Sequence, residues 1–281
     1  MILRQIGPIE MVDKALGQHW LYNREVLDYI ASEAKGVACP SDTLRAALAK
    51  SSCSAGHITP LASLALEIGP GLGTLTASLL RRFEKVVAVE FDAKLARNLP
   101  GSFPGKNLEV VNADFLKFDL AKMPEDYVIA GNIPYYITSP IIEKILTAGR
   151  LPKRAVLLIQ KEVAERIADE KETGLSLFVK NRASVRLGPV VLKGEFTPPP
   201  KVDSQVIILE PFLDGPKYPD ELFKLIRAAF TAPRKKLIHN LSQLKSKEEL
   251  GEIFGKLGIS LNARPADLHL DDYYRLYCDI M

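Results

Sequence analysis

Residues 131–140 read GNIPYYITSP, an asparagine, a proline and two tyrosines with no charge among them. They continue the apolar run YVIA, which reads as a buried strand with Asn132 at its carboxyl end. Asn132 offers an amide oxygen, and Pro134 stiffens the turn and takes the Ile133 and Pro134 carbonyls out of ladder pairing. A side-chain acceptor beside a backbone acceptor suits an exocyclic –NH₂ group, which has two donors. Tyr135 adds a ring able to stack on a flat heterocycle. The same residues in isolation would also serve as a capped turn with a packed ring, so their neighbours must decide.

EIGPGLGTLT (67–76) follows a second apolar strand and opens a helix. Gly69, Gly71 and Gly73 allow positive φ and a close backbone approach, and the N–H groups of the helix start favour a negative group. Glu90 closes the next strand in VAVEFD, where a carboxylate can accept both hydroxyls of a ribose. Asp114, in NADF, ends the strand after that, where an adenine would lie. Two ligands fit this set, a dinucleotide such as NAD and S-adenosylmethionine. The dinucleotide pattern puts its last glycine three residues after the second, whereas here the glycines stand at 69, 71 and 73. Glu67 is awkward beside a pyrophosphate and reasonable near a methionine ammonium. The turn therefore favours S-adenosylmethionine. With that donor beside Asn132, the group to be gripped is an adenine amine, whose lone pair is delocalised into the ring. Fixed acceptors for both N–H groups favour a pyramidal nitrogen aimed at the sulfonium methyl, a matter of placement more than of base strength. The base must leave its stack to get there.

Strand ends have to carry all of these residues. Five runs, LALEIG (64–69), VVAVEF (86–91), LEVVNA (108–113), YVIAGN (127–132) and AVLLIQ (155–160), are apolar without strict alternation and are separated by helical patterns. That rhythm predicts a doubly wound α/β sheet. SVRLGPVVL (184–192) and QVIILEP (205–211) are joined by GEFTPPPKVD, too short and Pro-rich for a crossover helix, which predicts an antiparallel pair. After Pro211 the pattern turns to amphipathic helices without strands. Two domains are expected, 1–211 with an N-terminal arm (1–23) and an insertion at about 36–63, and a helical 212–281. Gly258 reads as a C-cap and Asp267 as the N-cap of the last helix.

The bulk numbers are permissive. With 281 residues, 47% hydrophobic and 25% charged, this is ordinary soluble composition. No run of about 18 apolar residues predicts a membrane span, the N-terminus lacks a signal-peptide core, and the reading is a cytoplasmic monomer. A net charge of +3 allows a nucleic-acid partner without implying one. Basic residues cluster only locally, as in Arg234-Lys235-Lys236. Cys39, Cys53 and Cys278 make no disulfide framework, and Cys39, Cys53 and His57 match no zinc spacing, so no metal is expected.

With these segments identified, the chain resembles the small-subunit (16S) ribosomal RNA adenine N6,N6-dimethyltransferases. LGQHWLYN (16–23), EIGPGLGTLT, VAVEFD, NADFLKFD, NIPYYITSPII, GEFTPPPKVDS and the helical C-terminus carry the resemblance over nearly the whole chain. It implies a Rossmann-like class I methyltransferase fold, with a mainly parallel seven-stranded sheet, an antiparallel last strand and a small all-α C-terminal domain binding rRNA. It implies dimethylation of two adjacent adenosines near the 3′ end of small-subunit rRNA, on a 30S assembly intermediate. Cofactor contacts would come from Gln18, His19, Leu21, Gly69, Gly71, Glu90, Asp114 and Asn132. The catalytic set would be Asn132, Pro134, Tyr135 and Phe196, with the base between Tyr135 and Phe196. From the residues alone Phe196 reads as a core aromatic. Trp20 stands where the family often has Phe and should alter packing beside the cofactor. A 23S rRNA adenine methyltransferase of the antibiotic-resistance type would share the pocket. An NAD-dependent oxidoreductase and a non-catalytic factor on the same fold are the readings from other classes.

Overall fold

Runs rich in Val, Ile and Leu are most stable as strands covered on both faces, and the computed structural model, which describes residues 18–37 and 61–280, has this arrangement. The strands are β1 (Trp20–Leu21), β2 (Leu64–Ile68), β3 (Lys85–Glu90), β4 (Leu108–Asn112), β5 (Tyr127–Asn132), β6 (Ala155–Gln160), β7 (Ala183–Val191), β8 (Phe196–Thr197) and β9 (Ser204–Pro211). Seven of them form one sheet in the order β4-β3-β2-β5-β6-β9-β7. β2 pairs in parallel with both β3 and β5, β3 with β4, and β5 with β6. β9 runs antiparallel to β6, with Gln160 opposite Ser204. The mainly parallel α/β sheet with an antiparallel last strand is therefore observed. Ala65, Leu66, Val86, Ala88, Val128, Ile129, Val156 and Leu157 are fully buried in its centre.

The helix Arg24–Lys35 starts at Asn23, whose side chain accepts the Val26 N–H, and ends at Gly36. It lays Ile30, Ala31 and Ala34 into the same core as Val128 and Val156. β1 and β8 lie outside the large sheet and pair only with each other, Trp20 opposite Thr197 and Leu21 opposite Phe196. This short ladder ties the N-terminal arm to the GEFTPPPKVD segment. Most of the expected insertion, with Cys39, Cys53 and His57, and the arm before Gln18 lie outside the described residues.

The chain divides into two compact units. The first runs to Ala164 and resumes over Arg186–Pro211; the second comprises Glu165–Val185 and the chain from Phe212 onward. Glu165–Val185, which the sequence reading assigns to the first domain, thus belongs with the C-terminal helices, and Leu177 shares their apolar core with Phe223, Phe254 and Tyr273. That unit is helical after residue 212, with helices Leu222–Ala229, Leu237–Leu241, Lys247–Leu257 and Leu270–Ile280. Gly258 ends the third of these at φ 71. Asp267 is not the last N-cap: it closes a 3₁₀ turn by accepting the Arg264 N–H at 2.8 Å. No described helix is long and apolar enough to cross a membrane.

β2 also carries a carboxyl into the interior. Glu67 is only 1% exposed, and the Thr76 hydroxyl donates to its Oε2 at 2.6 Å. Burial pushes its pKa up from 4.5 to about 8; the Thr76 hydrogen bond opposes the shift and the nearby Glu90 adds to it. The carboxyl is buried and turned toward Thr76, so this geometry does not display the charge balance toward a ligand ammonium expected of it.

The buried proton has a measurable consequence. Because the folded pKa is raised, the stability tied to it is complete below the ordinary carboxyl pKa and is lost as the pH climbs through that value toward about 8. Glu67→Gln should flatten this fall, the slopes differing by up to about 1.4 kcal/mol per pH unit. Denaturant unfolding of both proteins across this range tests it, and parallel profiles would reject the buried proton.

Candidate active site

In an open α/β sheet, ligands bind outside the strand carboxyl ends where the strand order reverses. Here that point is β2, with β3 on one side and β5 on the other. A cavity of about 300 Å³ opens there. Its wall takes Ile68 and Gly69 from the end of β2, Glu90 and Phe91 from the end of β3, and Asp114 and Phe115 from beyond β4. Asn132 through Ile137 come from the end of β5, and Gln18, His19 and Trp20 from the arm. Of the residues singled out from sequence, Gln18, His19, Gly69, Gly71, Glu90, Asp114, Asn132, Pro134 and Tyr135 all line this one cavity.

The glycine turn works as its composition suggests. Gly69 and Gly71 have φ of 62° and 56°, a region that L side chains avoid. Nothing lies within 4 Å of where a Cβ on Gly69 would project, whereas one on Gly71 would stand 3.0 Å from Trp20 Nε1. The indole therefore packs directly onto the turn. Glu90 grips the same turn: its Oε2 accepts the Gly71 N–H at 3.0 Å and its Oε1 the Asp92 N–H at 2.9 Å. Burial raises the Glu90 pKa, and these two N–H groups oppose the rise. Each carboxylate oxygen keeps a further lone pair for an incoming hydroxyl. Asp114 Oδ1 accepts the Leu116 N–H at 2.9 Å.

Asn132 has its orientation set by the arm. Its Nδ2 donates to the His19 carbonyl at 2.8 Å. A carbonyl can only accept, so the amide must turn its –NH₂ that way and its oxygen the other. The His19 ring is held in turn, with Nδ1 2.8 Å from the Pro198 carbonyl, and it stacks on Tyr135 with centroids 6.1 Å apart and planes at 27°. The Tyr135 hydroxyl lies 2.7 Å from Ser204 Oγ at the start of β9. Burial raises the Tyr135 pKa against the Ser204 hydrogen bond, with Asp203 adding to the rise, so the phenol is neutral at physiological pH. The Pro134 carbonyl accepts the Ile137 N–H of the following turn at 3.2 Å.

Two expected residues are elsewhere. Leu21 and Phe196 are 1% and 3% exposed and do not line the cavity. They face one another across the β1–β8 ladder, and that pairing turns both apolar side chains into the core beside Tyr29 and Val206. The ring stacked on Tyr135 is His19, and Phe196 does not face the cavity across from Tyr135 as a second wall for the base. Conversely, Phe91, Phe115 and Tyr136 line the cavity without having been singled out. Each directly follows a residue that was, namely Glu90, Asp114 and Tyr135, and adjacency to a strand end was the available signal.

The sequence model of the ribosomal RNA adenine dimethylase family matches residues 10–280. A ribosomal RNA small subunit methyltransferase A from Mycoplasma mycoides is 38% identical over 228 residues, 76% of this chain and 85% of that protein. Its counterpart from Acaryochloris marina is 35% identical over 280 residues, 94% of this chain and 95% of that one. A dimethyladenosine transferase from Plasmodium falciparum superposes with a TM-score of 0.72 at 27% identity, over 93% of this chain and 97% of its own. The 23S rRNA methyltransferase ErmE shares the fold at 24% identity and a TM-score of 0.68, over 93% of this chain and 99% of its own. The matched span takes in the arm from Gln18, the glycine turn, the acidic strand ends and the Asn-Ile-Pro-Tyr turn, and the chain belongs to the ribosomal RNA adenine dimethylase family.

Proposed function

We infer that this chain transfers methyl groups from S-adenosylmethionine to the N6 amines of two adjacent adenosines near the 3′ end of small-subunit rRNA. The observation that carries the reading is the Asn132 amide, locked by the His19 carbonyl with its oxygen turned away from it, on the same cavity as Tyr135 and the Glu90-bound glycine turn. Family membership and relatives named as small-subunit methyltransferases support the target.

The cavity suits the cofactor on chemical grounds. The open side of Gly69 admits a group against the backbone. Glu90 keeps acceptor capacity on both oxygens for ribose hydroxyls, and Asp114 offers a carboxylate for an adenine amine. Bound there, S-adenosylmethionine supplies an electrophilic sulfonium methyl. The protein's part is placement. Asn132 Oδ1 and a neighbouring carbonyl of the Ile133-Pro134 turn accept the two N6 hydrogens, and Tyr135 stacks on the purine. The neutral Tyr135 phenol and the acceptor amide take no proton in the transfer. The amine's extra proton leaves to solvent once the new N–C bond has formed.

Arg234, Lys235 and Lys236 are exposed in the helical unit, and with its helices they are the residues through which we expect rRNA phosphates to be held. A 30S assembly intermediate is the substrate particle this reading favours, and a cytoplasmic monomer the acting form.

Incubation with labelled S-adenosylmethionine and separated 30S and 50S particles, followed by mapping of the modified base, tests the assignment; label confined to the 50S particle would move it to the large subunit. Asn132→Ala should lower kcat by about 10²–10³-fold, the scale of one lost fixed polar contact to the reacting group. Cofactor affinity should stay within about tenfold, or ~1.4 kcal/mol, and normal turnover would refute the pocket. Glu90→Ala should weaken S-adenosylmethionine binding by about 10- to 100-fold, as expected for lost hydrogen bonds to a charged group. Titration calorimetry reads this directly, and an unchanged Kd would remove Glu90 from the site.

A further inference from the structure

Tyr135 and Tyr136 are adjacent yet stand in opposite environments. Both belong to the 3₁₀ turn Tyr135–Ile137, in which successive side chains point about 120° apart. Tyr135 turns inward, to Ser204 and His19. Tyr136 lines the same cavity but is 63% exposed. Among the described residues it has neither a stacked ring nor a hydrogen-bond partner. Its support is rigid: Ile133 is 1% exposed, the Ile137 N–H is held by the Pro134 carbonyl at 3.2 Å, and the Thr138 hydroxyl donates to the Tyr135 carbonyl at 3.1 Å. The ring is thus presented at the cavity wall, largely in solvent, from a turn with little freedom to lose. Phe91 is equally exposed, but it follows Glu90 and belongs to the cofactor end of the site.

A base drawn into the cavity leaves its neighbour in the strand with one face unstacked. An aromatic ring at the wall can cover that face whatever the base, because every base has a π-face. We propose that Tyr136 is a positioning residue that stacks on the nucleotide adjoining the adenosine in the pocket. The inference rests on the function proposed above. Where the two targets are adjacent, the covered nucleotide is itself a target during one of the two rounds. The ring then holds the strand in register while its neighbour is methylated.

The test compares wild type, Tyr136→Ala and Tyr136→Phe on 30S particles lacking the two modifications, with kcat, KM and the calorimetric Kd for S-adenosylmethionine measured for each. Wild-type transfer is read first; none at all would overturn the function reading and this inference with it. Given that transfer, the alanine variant should raise KM by roughly 5- to 30-fold, within the range of one lost base–aromatic stack. Its kcat should stay within about twofold, its cofactor Kd should not move, and the phenylalanine variant should recover the wild-type KM. An unchanged KM in the alanine variant, a fall confined to kcat, a weakened cofactor Kd, or a phenylalanine variant as poor as alanine would each overturn the role of the ring while leaving the proposed function standing.

Discussion

The position of β2 between two parallel partners governs everything built at this end of the molecule. Its register sets Ile68 beside Val89 on one side and beside Gly131 on the other. The next residues along the three strands are therefore Gly69, Glu90 and Asn132, brought out at one edge of the sheet. Side chains alternate faces along a strand, so a slip of one residue in either pairing would turn a functional side chain to the opposite face. Burial of apolar runs on both faces makes such a slip costly, because it would also misplace the fully buried Leu66, Ala88 and Ile129. The antiparallel return of β9 along β6 extends the same logic, bringing Ser204 within 2.7 Å of the Tyr135 hydroxyl.

The arm completes what the sheet begins. An asparagine amide at a strand end can rotate between two nearly equivalent orientations, since the terminal torsion is broad and roughly two-fold. One hydrogen bond to a group that can only accept removes the degeneracy, at a gain of about 1 kcal/mol. The His19 carbonyl is that group. His19 is itself fixed by Pro198, and Trp20, its neighbour, packs on Gly71. The orientation of Asn132 and the shape of the glycine turn are thus set by one short segment, itself anchored through the β1–β8 ladder.

What was legible in the sequence follows from how local each signal is. The strands β2 to β6 announced themselves because runs such as LALEI and YVIA are continuous and double-sided, and Glu90, Asp114 and Asn132 because each closes one. Gly71 could be read as a tight turn, but not as the floor for Trp20, since the two are about fifty residues apart and meet only through the fold. A far greater separation hid the β1–β8 ladder, which pairs Trp20 with Thr197 with only two residues on each side and no periodicity to detect. Leu21 and Phe196 entered the expected site through the family resemblance, whereas the reading of Phe196 from its own residue type, a core aromatic, matches its burial. Glu67 misled for a different reason: its neighbours in sequence suggested a ligand, while its partner Thr76 lies beneath the turn, one helix start away. Glu165–Val185 joins the helical unit with Leu177 in a buried core whose other buried members, from Leu222 onward, are distant in sequence.

The protonation states explain how a cavity of this kind can act on a weak nucleophile without a strong base. Glu90 spends both oxygens on backbone N–H groups and Asp114 is tied to Leu116, so each carboxylate is oriented by the main chain. Tyr135 is held neutral by burial, and Glu67, whose pKa burial pushes up to about 8, is turned to Thr76 and does not line the cavity. Of the residues that line the cavity beside the Asn-Ile-Pro-Tyr turn, Asn132 presents an oriented amide oxygen and Tyr135 a neutral ring. An exocyclic amine conjugated with its ring keeps its lone pair in the plane's π-system until something bends the nitrogen. Acceptors that pull both hydrogens from fixed points do this without removing either one. A strong base would compete with them for the same hydrogens. The amine sheds its proton readily after transfer, when the nitrogen carries a full positive charge, so the protein has no need to take the proton beforehand. On the proposed function, geometry held by the arm and the sheet edge would carry the catalytic burden, with the Asn132–His19 hydrogen bond fixing one of the acceptors.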